Sequence, residues 1–319
     1  MALVSMHLLE ASPLTTVNVF DPGHQPALAV DPGDTVVVSS LDAAGYLGPM
    51  PAPGAATATM FPGEFRGHCL TGPVEVRGAR PGDTLAITLE ALTPGTWGWT
   101  VSPGLLDSPV SKRLGLSEGP PSWLLWELDA SAGTGTATSD AAPGRPRYTR
   151  SLAPFLGVIG VAPAQEGQHS TVPPRAACGG NIDCRELVAG TTLYLPVNVP
   201  GALLYLGDGH AAQGDGESCG TAIECPMTTR VTVSLAAGRP LTTIHAQGPS
   251  GRVTFGFSPD LNEAMGDALD AMVTWLAAIY GASRAEALAL ASVAADLRVT
   301  QVANGTWGVH AVLPDGVLS

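Results

Sequence analysis

Residues 203 to 224 read LLYLGDGHAAQGDGESCGTAIE, which sets Asp208, His210, Asp215, Glu217, Cys219 and Glu224 among glycines. Between Arg185 and Arg230 there is no basic residue. Four carboxylates that converge without a cation repel one another unless protons or a metal ion neutralise them. A divalent ion is therefore one reading of this stretch, and a solvated acidic turn is the other. An EF-hand does not fit, because its loop needs alternating Asp or Asn ligands, a glycine at position six and a glutamate at twelve. A two-histidine zinc helix does not fit either, since the glycines preclude a helix and only one histidine is present. An ion held by carboxylates and an imidazole, with one position open, makes its water acidic and polarises a carbonyl.

Other residues can join such a centre. His68, ahead of Thr71-Gly72-Pro73, either reaches the ion or is a loop histidine with a backbone partner. Asp183, after Gly179-Gly180-Asn181, is either a ligand or a turn-forming residue. His169 in QHSTVPP either lines a pocket or lies on the surface. Cys178/Cys184 and Cys219/Cys225 share a spacing that invites a zinc–thiolate reading, but structural zinc sites space their cysteines by about two to four residues. Cys219 as a nucleophile lacks an adjacent base. Lysine-dependent nucleophilic strategies would have to use Lys112, the one lysine in the chain, from a DSPVSKRLG loop.

The elements that must position these groups are mainly β. Gly (39) and Pro (28) punctuate the 319 residues too often for long helices over most of the chain. AVDPGDTVVVSS (29–40) and GARPGDTLAITLEAL (78–92) share Pro-Gly-Asp-Thr followed by a β-branched run, and LVAGTTLYLPV (187–197) is a looser version. Each predicts a tight turn into a half-buried strand. GALLYLG predicts a buried strand that ends at Asp208, followed by turns at Gly209, Gly214, Gly216 and Gly220. Near the C-terminus, Leu261, Met265, Leu269, Met272 and Leu276 have helical spacing. Ser258 or Asp260 can cap this helix and Gly281 can end it. Ser283 with Glu286 forms a capping-box pattern for a second helix, so an αα-hairpin is expected. The expected fold class is mainly β (α+β): sandwich- or barrel-like strands over residues 1–255, then a helical hairpin and final strands. Residues 1–319 are expected to form one unit, β-rich over 1–257 with the hairpin and last strands in 258–319. DASAGTGTATSDAAPGRPR (129–147) reads as a mobile loop or lid.

Fifteen Lys and Arg against 28 Asp and Glu give a net charge of −13, which repels phosphate backbones and anionic headgroups. Nucleic acid and membrane partners are not expected. MALVSMHLLEASPLTT has no basic n-region, no apolar run reaches spanning length, and five cysteines do not make a disulfide framework. The expectation is a cytoplasmic protein with reduced thiols.

GGNIDCRELVAGTTLYLPVNVPGALLYLGDGHAAQGDGESCGTAIECPM (179–227) resembles the signature region of the acetamidase/formamidase family. GHCLTGPVEVRGARPGDTLAI (67–87), LAPFLGVIGVAPAQEGQHSTVPPR (152–175) and AADLRVTQVANGTWGVHAVLP (294–314) resemble its other landmarks in the same order. Two departures stand out: Asn18 and Val19 occupy the place of the family's His-Trp pair, and Ile182 that of a methionine. The resemblance implies metal-associated hydrolysis of small amides by a homodimer or higher homo-oligomer. Applied to these residues, it implies a divalent ion on Asp183, Asp208, His210, Glu224 and His68, with zinc the first choice and calcium possible at an oxygen-rich second position. Glu217 and Asp215 are then the proton-handling carboxylates, and His169, Asn181 and Cys219 face the substrate. Two alternatives remain open: hydrolysis of bulkier or cyclic amides such as lactams, and a non-catalytic β-rich module with a structural ion.

Overall fold

The computed structural model describes residues 5–63, 65–104, 108–139, 147–238 and 241–318. Both Pro-Gly-Asp-Thr elements form the expected turns. Gly33 and Gly82 adopt φ of 100° and 93°, a region open mainly to glycine, and Asp34 and Asp83 close each turn from the backbone N–H to the carbonyls of Asp31 and Arg80. The two aspartate side chains also accept from the N–H groups of Asp31 and Arg80. Thr35–Ser40 and Thr84–Pro94 leave these turns as strands, and each pairs antiparallel with Met227–Ala236.

These strands lie in a nine-stranded sheet that runs from an edge at Met6–Leu9 to one at Asp296–Gln301. An eleven-stranded sheet carries Leu204–His210 between Glu224–Cys225 and Phe155–Val161. Alternate residues such as Val36 and Val38 of the first sheet, and Ile159, Val161, Leu204 and Leu206 of the second, share one buried apolar cluster. This is the mainly β, α+β architecture that the sequence predicts.

The helical hairpin forms as Leu261–Tyr280 and Arg284–Ala294, capped by Asp260 and Ser283, with Gly281 at φ 62° ending the first helix. Met272 and Leu276 are buried as expected, and the buried face departs from expectation at one position. Met265 is exposed, whereas Ala264, Ala268, Ala271 and Trp275 are buried. The reason is a close approach to Gly256 of strand Gly251–Ser258: a Cβ there would lie 2.0 Å from the Ala264 carbonyl oxygen. Only small helix residues tolerate that spacing, and Thr254 locks it by donating to the Ala268 carbonyl at 2.7 Å.

The loop expected at 129–147 is a hairpin over its first half. Ser122–Asp129 pairs with Thr134–Ser139, and Asp129 caps the turn by accepting from Ser131 and Ala132 N–H groups. Thr134, Thr136 and Thr138 alternate as a strand does, a pattern masked by small neighbours; residues 140–146 of the expected lid lie outside the described residues. All five cysteines are free, and among the described residues no helix is long and apolar enough to cross a membrane.

Gly256→Val is expected to lower stability by about 1–3 kcal/mol through overpacking against the helix. Gly266→Ala, on the same helix with nothing within 4 Å of the added Cβ, should leave stability unchanged or raise it by up to about 1 kcal/mol. Thermal or urea denaturation of the two variants checks the contrast.

Candidate active site

Leu204–His210 runs through Asp208 to His210 rather than ending at Asp208, and all seven residues are buried. Gly207 and Gly209 flank Asp208, and a Cβ on them would meet the Cys69 and Cys225 carbonyl oxygens at 2.7 and 2.6 Å. These two glycines serve close packing rather than turning. The His210 Nε2 lies 3.4 Å from Asp208 Oδ1 and 3.3 Å from Glu224 Oε2. Glu224 is placed by direct pairing with His210 and accepts from the Ala222 N–H.

Asp183 arrives from the segment after strand Gly179–Asn181. The carbonyl of Gly157 accepts from both Ile182 and Asp183 N–H groups, and the Asp183 carbonyl accepts from the Gln213 side chain. Glu217 comes from the 211–223 loop, which Gly216 ties to the Thr300 carbonyl. Glu217 is buried, unlike a residue of a solvated acidic turn. Asp183, Asp208 and Glu217 hold φ of 53°, 59° and 41°, a left-handed backbone uncommon outside glycine.

Asp183, Asp208 and His210 bring ligand atoms within 4.8 Å of one another, and His210, Glu217 and Glu224 do the same. Gly157 makes this convergence possible: a Cβ there would stand 2.4 Å from Asp208 Oδ2 and 2.6 Å from Asp183 Oδ1. Burial, followed by the neighbouring carboxylates, pushes Asp183 and Glu217 well above the usual carboxylate range, and Glu224 upward. Burial acts upward on Asp208 too, but His210 and His68 hold it below its ordinary value. Burial would lower His210; Glu224 and Asp208 override that and raise it well above a free imidazole.

The donor set fits a divalent ion. Both oxygens of Asp183, and one oxygen each of Asp208, Glu217 and Glu224, are buried without a hydrogen-bond partner. Buried carboxylates in that condition cost several kcal/mol unless protonated or metal-bound. The 3.3 and 3.4 Å separations around His210 match the edges of a tetrahedron whose corners stand about 2.0–2.1 Å from a central zinc.

A cavity of about 40 Å³ opens over the cluster, lined by Asp208, His210, Glu217 and Glu224 on its polar side, with Asn181 and Asn304 beside them. Asn181 donates to the Val172 carbonyl, which leaves its buried Oδ1 unpartnered. His68 stands at the edge, its Nε2 3.9 Å from Asp208, with Thr171 holding its backbone N–H and Nδ1. It is not one of the converging ligand groups.

Three residues of the expected site are not brought to this cavity. Asp215 is exposed and lines an adjoining hollow, as does Cys219, while Glu217 between them is buried and lines both that hollow and the cavity. His169 sits in the two-residue ladder His169–Ser170 and bonds the Gln165 carbonyl. Gly157, Asp42 and Trp99 belong to the site and were not singled out from sequence. A glycine inside the apolar strand FLGVIGV was the available signal for the first.

These features define a class: a β-sheet protein whose paired strands carry a buried carboxylate–histidine centre beneath a small cavity. The acetamidase/formamidase family matches residues 6–170 and 161–314, so the chain belongs to that family. The crystal structure of an acetamidase from Bacillus halodurans is similar, with a TM-score of 0.81 and 30% identity over 96% of this chain and 97% of that one. That of an acetamidase/formamidase from Thermoanaerobacter tengcongensis shares the fold, with a TM-score of 0.83 and 24% identity over 99% and 98% of the two chains. A Schizosaccharomyces pombe protein named as a candidate formamidase is 28% identical over 240 residues, 60% of this chain and 56% of that one. This chain thus aligns with little more than half the length of that curated relative.

Gly157→Ala is expected to displace Asp208 or Asp183 and to weaken metal retention by tenfold or more, an order of magnitude or so as for disturbed ligand support; elemental analysis after dialysis reads it. Acidity supplies a second check. Above about pH 4, the raised Asp183, Glu217 and Glu224 make the folded metal-free protein bind more protons than the unfolded chain, so its stability falls as pH rises. His210, also raised, acts in the same direction above about pH 6.5, while the lowered Asp208 acts only in more acid solution. Chelator-treated protein should therefore lose Tm, relative to zinc-treated protein, from about pH 4 toward neutrality. A difference that narrows over that interval counts against the scheme.

Proposed function

We propose that this chain hydrolyses short aliphatic amides, formamide and acetamide foremost, to a carboxylate and ammonia, with a divalent ion at the Asp183, Asp208, His210 and Glu224 cluster. The observation that carries the reading is the set of buried, unpartnered carboxylate oxygens around His210 at the floor of a cavity. Family membership and the acetamidase likeness agree with it. Zinc is the first choice because an imidazole and carboxylates converge; calcium suits an oxygen-rich second position. The cavity of about 40 Å³ favours these small amides over lactams or other bulky substrates.

The chemistry such an ion supplies when bound is polarisation of the amide carbonyl and acidification of water. The protein's own groups divide the remaining work. Asp208, His210 and Glu224, on paired strands, would hold the ion together with Asp183, and Phe155 packs edge-on against the His210 ring at 5.1 Å. Asn181 Oδ1 is free to accept from the amide N–H and so to orient the leaving nitrogen. Glu217 takes a proton from the attacking water at its carboxylate and returns it to that nitrogen. Its raised affinity for protons, caused by burial and then by Asp183, suits a group that must hold the proton between the two steps.

Ammonia release from a small amide panel, before and after chelation, tests the reading. Full activity in protein that contains no stoichiometric metal would remove the metal's part in it. Glu217→Gln should retain metal while kcat falls by about 10²-fold or more. His210→Ala should lose both metal and turnover, whereas a solvated loop would show only a stability change within about 0.5 kcal/mol.

A further inference from the structure

The division of labour above leaves one buried carboxyl unused. Asp42 is fully buried beside the site, and its Oδ2 accepts from the indole Nε1–H of Trp99 at 2.5 Å while Oδ1 accepts from the Tyr46 N–H at 2.8 Å. Trp99 itself is 1% exposed, yet it is among the residues that line the cavity over the cluster. It stands directly opposite Glu224 in the strand pairing, and Tyr46 and Trp123 brace it with ring centroids at 6.0 and 5.6 Å. The lining of the cavity is thus of two kinds. Carboxylates, His210 and two asparagines make up its polar part, and Trp99, Phe65, Ala43 and Val172 contribute apolar residues.

An amide has the same division: a polar head that must meet the cluster and an acyl chain left to face the apolar residues. An indole can be turned aside by a longer chain only if its ring is free to rotate. Here the N–H is tied to a carboxyl that the surrounding backbone fixes, so rotation would leave both groups buried and unpaired.

We propose that Trp99 sets the upper limit on acyl length, and that Asp42 is the positioning residue that enforces it by anchoring the indole. This rests on the amide-hydrolysis reading and adds the determinant of substrate size. Asp42 touches neither substrate nor metal in this scheme; it acts through Trp99.

The test is the ratio of kcat/KM for butyramide to that for formamide. Trp99→Leu should raise it by at least about tenfold, the scale at which a hydrophobic pocket discriminates methylenes. Trp99→Phe, which keeps a ring but loses the anchored N–H, should raise it less. Asp42→Ala should raise it although it lies outside the cavity, and Asp42→Asn, whose single amide oxygen can accept from the indole or from the Tyr46 N–H but not from both, should raise it less than Asp42→Ala does. An unchanged ratio in Trp99→Leu overturns the size limit. An unchanged ratio in Asp42→Ala, or a rise in Asp42→Asn as large as in Asp42→Ala, overturns the anchor; if Asp42→Ala does not fold, an unchanged ratio in Trp99→Phe does so instead. Should the wild type hydrolyse no amide, that reading fails separately, and the size limit is read from carboxylate binding. Formate and acetate should then raise the wild-type Tm and butyrate should not, whereas Trp99→Leu should respond to all three. Equal responses in wild type and variant would overturn the proposal.

Discussion

Four carboxylates and an imidazole meet where water scarcely reaches, and the surrounding architecture follows from keeping them together. Their mutual repulsion is strong in a poorly solvated interior. Side chains on flexible stems would swing apart; here regular structure denies them that escape. Asp208, His210 and Glu224 sit on two paired strands, Asp183 is tied to the Gly157 carbonyl, and Glu217 is fixed by a loop stitched to Thr300. Gly157 supplies the shared space, since any side chain there would occupy the volume in which Asp183 and Asp208 approach.

Protons and a metal ion are competing answers to the same repulsion. The raised proton affinities of Asp183 and Glu217 describe the first answer, and the unpartnered oxygens describe room for the second. A centre of this kind links its ligand affinity to acidity, because each proton retained is a donor lost.

Much of the fold could be read from local chemistry. The Pro-Gly-Asp-Thr turns and the helix caps formed as their residues dictate, because each is settled within four or five residues of chain. The buried face of the long helix was misjudged at Met265, since the deciding contact comes from Gly256 on a strand and has no signature within the helix itself. The site divides along the same line. Asp208, His210, Glu217 and Glu224 stood out as a block, but their neighbours in that block, Asp215 and Cys219, face a different hollow. Nearness along a glycine-rich loop does not fix direction. Asp42 and Trp99 are remote from the block in sequence and meet it only through the register of the sheet.

Among the described residues, five non-glycine positions have left-handed backbone, Asp183, Ala202, Leu203, Asp208 and Glu217, and three of them are carboxylates of the cluster. Such conformations cost of order 1–3 kcal/mol each and persist where the surroundings enforce them. The centre is consequently a local debit in the stability of the fold. Selection for heat resistance alone would favour glycine at 208 or 217, where it relieves the backbone and removes a buried acid in one step. Each such gain would erase a carboxylate of the cluster, so in this family member durability and chemistry draw on the same few dihedral angles in opposite directions.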